Sequence, residues 1–374
     1  MENFEAGKYV NQGHYKSFQP CKIDRAWQVV DMQILQLLSK ADRNLGRLDM
    51  YSEYVNIDMF IRMHIAKEST QSSKIEGTQT NIEETFMPKK EIKVENRDEW
   101  EEVQNYIAAM KEAVMMLQNL PFSSRLILQT YKILLQGVRG EYKSPGEYRR
   151  SQNWIGGATI NDAKFIPPTH TSLGELMSDL EKFANNKTNY IPDLIKIAII
   201  HYQFETIHPF LDGNGRVGRL LITLYLVSTG ILKQPILYLS DFFEQHRSLY
   251  YDNLMRVRTH NDIGQWLKFF LTGIIEISQK GVRTFDDILK LQKQIEIKLK
   301  DFGTRAVSAN KLITHLYDNP IIDAQSASSV IEKSLRPTYH LISDLEKLGI
   351  LKEITGAERG KLYMFKDYVE LFKR

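Results

Sequence analysis

Apolar residues recur at three- and four-residue spacing through AWQVVDMQILQLLSKADRNLGRL, WEEVQNYIAAMKEAVMMLQNL and PDLIKIAIIHYQFETI, the period of helices that bury one face. The first 300 residues therefore read as mainly α. Strand-like alternation is scarce. Its clearest case is NWIGG followed by KFIPP, which predicts a small β-hairpin around residues 153 to 168, ended by Pro167 and Pro168. Beyond about residue 280 the helices grow more polar, and LQKQIEIKLKDFGTRAVS reads as a helical connector. The tail then offers three helices, ANKLITHLY, SASSVIEKS and PTYHLISDLEKLG, the last opened by Pro337. LKEITGAERGKLYMF follows as two strand-like runs around a glycine-bearing turn. That order predicts a winged helix. The expected division is an N-terminal helical region over 1–100, a helical core over 101–280, the connector over 281–303 and the winged-helix unit over 304–374. No repeat of roughly 20 to 50 residues is present, which sets solenoids aside.

Composition narrows the class without naming a chemistry. Of 374 residues, 43% are apolar and 25% charged, the balance of an ordinary globular protein with room for two or three cores. Forty-nine Lys and Arg against 46 Asp and Glu leave a net charge of +3, too little for bulk attraction to nucleic acid or membrane. Cys21 is the only cysteine. Intrachain disulfides, zinc fingers and iron–sulfur clusters are thereby excluded, and a reducing compartment fits best. The start, MENFEAGKYV, lacks a basic region followed by an apolar core, and apolar stretches such as Leu220 to Val227 fall far short of a membrane span. A cytoplasmic protein with no membrane partner is expected.

Chemistry concentrates in HPFLDGNGRVGR, His208 to Arg219, between two apolar helical stretches. Gly213 and Gly215 flank Asn214 and let the backbone turn tightly and approach a ligand. The helix beginning near Arg216 aims unpaired N–H groups and the positive end of its dipole at the same point. Arg216 and Arg219, three apart, share one side of the first turn, where each guanidinium can pair with phosphate oxygens. The segment suits a polyphosphate. Asp212, just before the cradle, suits an oxygen ligand for Mg²⁺ bridging the phosphates. His208 is the one side chain in the segment whose ordinary pKa lets it accept a proton near neutrality. His201 and His208 are not read as a metal pair, because Pro209 disfavours helical geometry at His208 and no third ligand lies at a characteristic spacing.

These residues match the Fic (Fido-fold) signature HxFx(D/E)GNGRxxR at every specified position, so the chain resembles that family. The resemblance implies a mainly helical Fic fold with a small β-hairpin flap, and AMP transfer from ATP to a hydroxyl side chain of a protein, commonly Ser, Thr or Tyr, self-modification included. His208 would deprotonate the acceptor, Asp212 would hold Mg²⁺, Asn214 and the loop amides would hold the α-phosphate, and Arg216 and Arg219 the outer phosphates. The implied ATP-binding run is Gly213, Asn214, Gly215, Arg216, Val217, Gly218 and Arg219, with Phe210 as the buried anchor. SPGEYRRSQNWIGG and FIPP resemble the family's approach to the flap. PILYLSDFFEQHRSLYYDNL resembles its adenine-side helix, with Tyr250 and Tyr251 as candidates to pack on the base and ordinary core packing as the equal alternative. The similarity spans about residues 25 to 280.

A second motif, SSKIEG, places Ser72, Glu76 and Gly77 on the family's inhibitory pattern (S/T)xxxE(G/N). Ile57, Ile61, Ile65, Glu68, Ser72 and Glu76 follow helical spacing, so an apolar stripe turns polar at its C-terminal end and Gly77 can stop the helix. The resemblance implies that Glu76 pairs with Arg219 and blocks the productive pose of the γ-phosphate. Three other readings stay open. The same site could remove AMP by hydrolysis, with Glu76 positioning water, or transfer another phosphorylated group. The winged helix could bind DNA while the core senses nucleotide, although 11 Lys and Arg against 9 Asp and Glu from Thr304 onward support DNA only weakly. Arg336, His340, Arg359 and Lys361 are its candidate contacts, and protein interaction or dimerisation is an equal alternative. A homodimer is a family-level expectation.

Overall fold

The computed structural model describes residues 4–54, 58–137 and 141–373. Ile57, the first position of the stripe expected to lead to Glu76, lies outside the described residues. The chain opens with an antiparallel hairpin, β1 (Gly7–Asn11) and β2 (Lys16–Pro20), with Tyr9 opposite Phe18. The hydrophobic pattern does not announce it, because β1 carries only two large apolar residues. Helix α1 (Met32–Asp49) starts six residues after the apolar run begins: the Asp31 carboxylate accepts from the N–H groups of Gln33 and Ile34 and fixes the start there. Its buried face is Ile34, Leu38, Ala41, Leu45 and Leu48.

A short turn, α2 (Tyr51–Tyr54), precedes α3 (Asp58–Ile75), the helix whose far end bears Ser72 and Glu76. The helical body continues with α4 (Arg97–Met116), α5 (Ser124–Leu134), α6 (Leu173–Asn185), α7 (Asp193–Ile207), α8 (Asn214–Ser228), α9 (Ser240–Gln245) and α10 (Arg247–His260). Helix α7 is buried over nearly its whole length, so the site that follows it stands on the centre of the core. Helix α11 (Ile263–Leu299), capped by Asp262, is 37 residues long and packs along α1. The expected connector over 281–303 coincides mostly with its C-terminal half.

The tail runs α12 (Ala306–Asp318), β3 (Ile321–Asp323), α13 (Ala324–Ile331), α14 (Leu335–Lys347), β4 (Leu351–Glu353), β5 (Leu362–Phe365) and α15 (Lys366–Lys373). Its sheet has the antiparallel order β3-β5-β4. Strand β3, an Ile–Ile pair behind Pro320, is an addition to the two strand runs read from sequence. This unit folds back on α3. Phe60 meets the rings of Tyr317 and Tyr368, His64 lies between Phe285 and Phe372, and Arg62 donates to Asp318 and Asn319. Among the described residues no helix is long and apolar enough to cross a membrane.

Candidate active site

Helix α7 ends at His208, which takes the left-handed conformation (φ 50°, ψ 60°) and donates its N–H to Phe204 O at 2.9 Å. Such a backbone is uncommon for a residue with a side chain. Pro209 behind it prevents the helix from continuing. The bend drives Phe210 into the core, fully buried and stacked on Tyr131 with ring centroids 3.7 Å apart. Asn214 then closes the loop. Its Oδ1 accepts from Phe210 N–H at 2.8 Å and its Nδ2 donates to Phe210 O at 2.9 Å. The carboxamide expected to face a phosphate is thus also the latch that gives the loop its shape.

Gly213, at φ 73°, starts α8 without a side-chain cap, so the first-turn N–H groups stay without intrahelical partners. Asp212 accepts the Gly213 N–H at 2.6 Å through Oδ1, and its carboxylate is half-exposed. Among the described residues no cluster of three or more His, Cys, Asp or Glu could hold a metal. An ion at Asp212 would complete its shell with phosphate and water oxygens, a donor set that suits Mg²⁺.

Both loop guanidiniums are buried and both meet a carboxylate. Arg219 donates from Nε to Ser72 Oγ and from Nη2 to Ser72 O, each at 2.9 Å, and from Nη2 to Glu76 Oε1 at 2.6 Å. The pairing expected from the two motifs is therefore present. Helix α3 ends at Ile75, and the turn behind it passes through Gly77, whose φ of 107° few other residues adopt. Gly215 is the opening that admits the contact: a Cβ there would strike Glu76 Oε1 and stand 2.8 Å from Arg219 Nη1. Arg216 donates from Nη1 to Glu102 Oε2 of α4 at 3.0 Å, with Asp212 Oδ1 4.0 Å from Nη2. Nothing in the sequence marked Glu102, which reaches the loop only through the packing of α4 against α8.

The imidazole of His208 has a buried Nδ1 without a hydrogen-bond partner. Burial, then the charges of Arg258 and Arg149, push its pKa down to about 3, so the ring is neutral at physiological pH. Glu205, one turn earlier on α7, has an unpartnered Oε1, and burial drives its carboxyl up to about 7 against the pull of Arg219. Glu68 on α3 accepts from Tyr106 and from Ser240; burial likewise raises it to about 7 although those bonds and Arg219 oppose the shift. Helical spacing had placed Glu68 on the stripe that leads to Glu76, whereas nothing in the sequence singled out Glu205.

The flap expected over 153 to 168 is joined by one antiparallel bridge, Ile155 to Phe165, and its tip is tied by Asp162, which accepts from Ala158 and Thr159. The β2 strand abuts its base, Phe18 N–H donating to Ile166 O at 2.9 Å. The two tyrosines of α10 part company. Tyr250 is sealed in an aromatic cluster with its hydroxyl on His201 Nε2 at 2.9 Å, whereas Tyr251 is 38% exposed. Core packing accounts for the first, and Tyr251 alone has surface to offer. His201 is a satisfied core residue, its Nδ1 2.9 Å from Gly218 O.

Residues 35–115 match the model described as Fic/DOC family N-terminal, and residues 121–226 match the Fic/DOC family model. The protein adenylyltransferase Fic of Aedes aegypti is 34% identical over 175 residues, 46% of this chain and 32% of that protein. The protein of the same name from Culex quinquefasciatus is 31% identical over 201 residues, 52% of this chain and 37% of the relative. The matched region thus spans about a third of the length of these curated relatives. A crystal structure of a Fic family protein from Desulfovibrio desulfuricans G20 superimposes with a TM-score of 0.58 at 18% identity, covering 91% of this chain and 98% of that one, which speaks to the fold. With both family segments present in order, together half of the chain, and with the loop between α7 and α8 inside the second, the chain belongs to the Fic/DOC family.

Proposed function

We propose that the protein is an adenylyltransferase, moving AMP from ATP to a hydroxyl side chain of a protein, and that Glu76 holds it in check. The observation that carries this reading is a single loop that joins a neutral imidazole at the C-terminal cap of α7 to the uncapped helix start of α8, with the buried guanidiniums of Arg216 and Arg219 on the first turns of that helix. Relatives named protein adenylyltransferase support the same chemistry.

In the proposed reaction the unprotonated ring of His208 takes the proton of the acceptor hydroxyl as its oxygen attacks the α-phosphorus. The bond to the bridging oxygen breaks and pyrophosphate leaves. The α8 amides stabilise charge growing on the α-phosphate, a preorganised role that costs no rearrangement at the moment of reaction. Mg²⁺, held by Asp212 and phosphate oxygens, would neutralise charge on the leaving pyrophosphate. Arg219 can hold the outer phosphates once Glu76 yields it, so the ion pair at 2.6 Å and a phosphate contact compete for one guanidinium.

The test is intact-mass analysis of Glu76→Gly protein incubated with Mg²⁺ and ATP, alone and with His208→Ala. A gain of one or more AMP masses that disappears with His208→Ala is expected. No gain under any condition, with a lysate supplied as acceptor, defeats the proposal.

A further inference from the structure

Arg149, in the stretch leading to the flap, is almost completely buried, yet among the described residues no carboxylate pairs with it. Its donors go to main-chain carbonyls. Nε reaches His208 O at 3.0 Å, Nη1 reaches Ser151 O at 3.0 Å, and Nη2 reaches Pro168 O at 2.5 Å and Ile207 O at 3.5 Å. Its own N–H donates to Pro209 O at 2.9 Å. A buried cation without a counter-ion is expensive, and only well-placed acceptors offset its lost hydration. Here the acceptors come from two places: the two ends of the flap, and the left-handed turn that carries His208.

Asn153, at the first position of the flap, repeats the pattern. Its Nδ2 donates to His208 O at 3.2 Å and to Phe210 O at 2.8 Å. The His208 carbonyl is therefore gripped by two side chains from the segment that leads into the flap. We infer that Arg149 and Asn153 are a positioning pair that locks the flap to the His208 turn and so fixes the placement of the ring that would activate an acceptor.

The inference rests on the adenylyl-transfer reading and adds residues to it that touch neither ATP nor acceptor. Neither hydrogen-bonds to Arg216 or Arg219, and although Asn153 shares the Phe210 carbonyl with Asn214, that carbonyl keeps its Asn214 partner when Asn153 is truncated, so loosening the tie leaves the arginines of the cradle and the Asn214 latch their own contacts. What suffers is alignment, and a misplacement near 1 Å can cost about a hundredfold in rate. Arginine is required because its planar fork reaches carbonyls in several directions, which a lysine serves only in part.

Asn153→Ala, Arg149→Lys and Arg149→Met are placed in the Glu76→Gly background, and kcat and KM for ATP are measured with melting temperature as a control. The expected result is a fall in kcat of about tenfold for Asn153→Ala and about a hundredfold for Arg149→Met, with partial recovery in Arg149→Lys and KM for ATP within twofold of the parent. Unchanged kcat in Asn153→Ala and Arg149→Lys overturns the inference, as does a rise in KM at constant kcat. Arg149→Met may be omitted if it fails to fold, since the other two decide the matter. Should the Glu76→Gly parent transfer nothing, the functional reading fails by itself, and amide exchange judges the tie. Faster exchange at Ile155 and Phe165 in Asn153→Ala, with α7 unchanged, supports it; unaltered exchange at the flap overturns it.

Discussion

Removing the Glu76 carboxylate is the most direct perturbation of the resting site. Arg219 makes three hydrogen bonds there, two to Ser72 at 2.9 Å and one to Glu76 at 2.6 Å, so Glu76→Gly removes one and leaves the guanidinium held. A hydrogen bond to a charged group is worth about 1.5–3 kcal/mol. The Glu76 side chain is 38% exposed, and solvent screening reduces the figure to about 1–2 kcal/mol. At about 1.4 kcal/mol per factor of ten, the ion pair outweighs the disengaged arginine by roughly 5- to 30-fold. A phosphate that needs Arg219 meets that handicap in full. Glu76→Gly therefore raises initial incorporation of labelled AMP at subsaturating ATP by about 5- to 30-fold. The helix loses little, because α3 already ends at Ile75. Glu76→Gln, which keeps the acceptor oxygen but not the charge, falls between the two. Equal incorporation by wild type and Glu76→Gly would refute the reasoning, and so would a rise that survives His208→Ala.

Four other outcomes follow from the same geometry. His208→Ala in the Glu76→Gly background abolishes transfer while calorimetry shows ATP affinity within a few-fold of the parent; retained transfer places the base elsewhere. Because burial pushes His208 down to about 3, kcat/KM shows no acid limb near the ordinary histidine pKa, and an NMR titration of the free enzyme with a midpoint near 6.5 would contradict the burial argument. Glu205 is raised from 4.5 to about 7, so the folded state keeps a proton that the unfolded chain releases over that window. Stability from this group is full below the lower value and declines as pH rises through the upper one, by up to about 1.4 kcal/mol per pH unit. Glu205→Gln should flatten that decline in thermal melts at pH 5 and 8, and an unaltered slope would count against it. Gly218→Ala sets a Cβ against the Glu205 carboxylate and 3.1 Å from the Phe204 ring, costing about 1–3 kcal/mol; an unchanged melting temperature rejects the contact.

The segment from His208 to Arg219 was legible because its chemistry is contiguous: base, acid, glycines and arginines run unbroken from the end of α7 into the first turns of α8. The Glu76–Arg219 pair, 143 residues apart, was reachable only because each partner sits in a motif of its own. Arg149 was not. RRSQN reads as two exposed arginines, and Arg150 does lie at the surface beside Glu147, but Arg149 turns inward to carbonyls, and backbone acceptors leave no trace in side-chain spacing. Glu102 and Glu205 are hidden for a related reason, since an amphipathic pattern says which face is apolar and not which carboxylate the next helix will meet. Tyr250 and Tyr251 are neighbours in sequence, and the roll of α10 that buries one and bares the other is set by Phe243 and Trp266.

The far face of α3 gives the C-terminal unit a hold on chemistry it never touches. Phe60 and His64 are covered by Tyr317, Tyr368 and Phe372, so the rod that ends in Glu76 is seated in a socket made by the last sixty residues of the chain. A protein cut short after α11 would bare that rod along one side, and its catalytic behaviour would describe a loosened machine rather than the intact one.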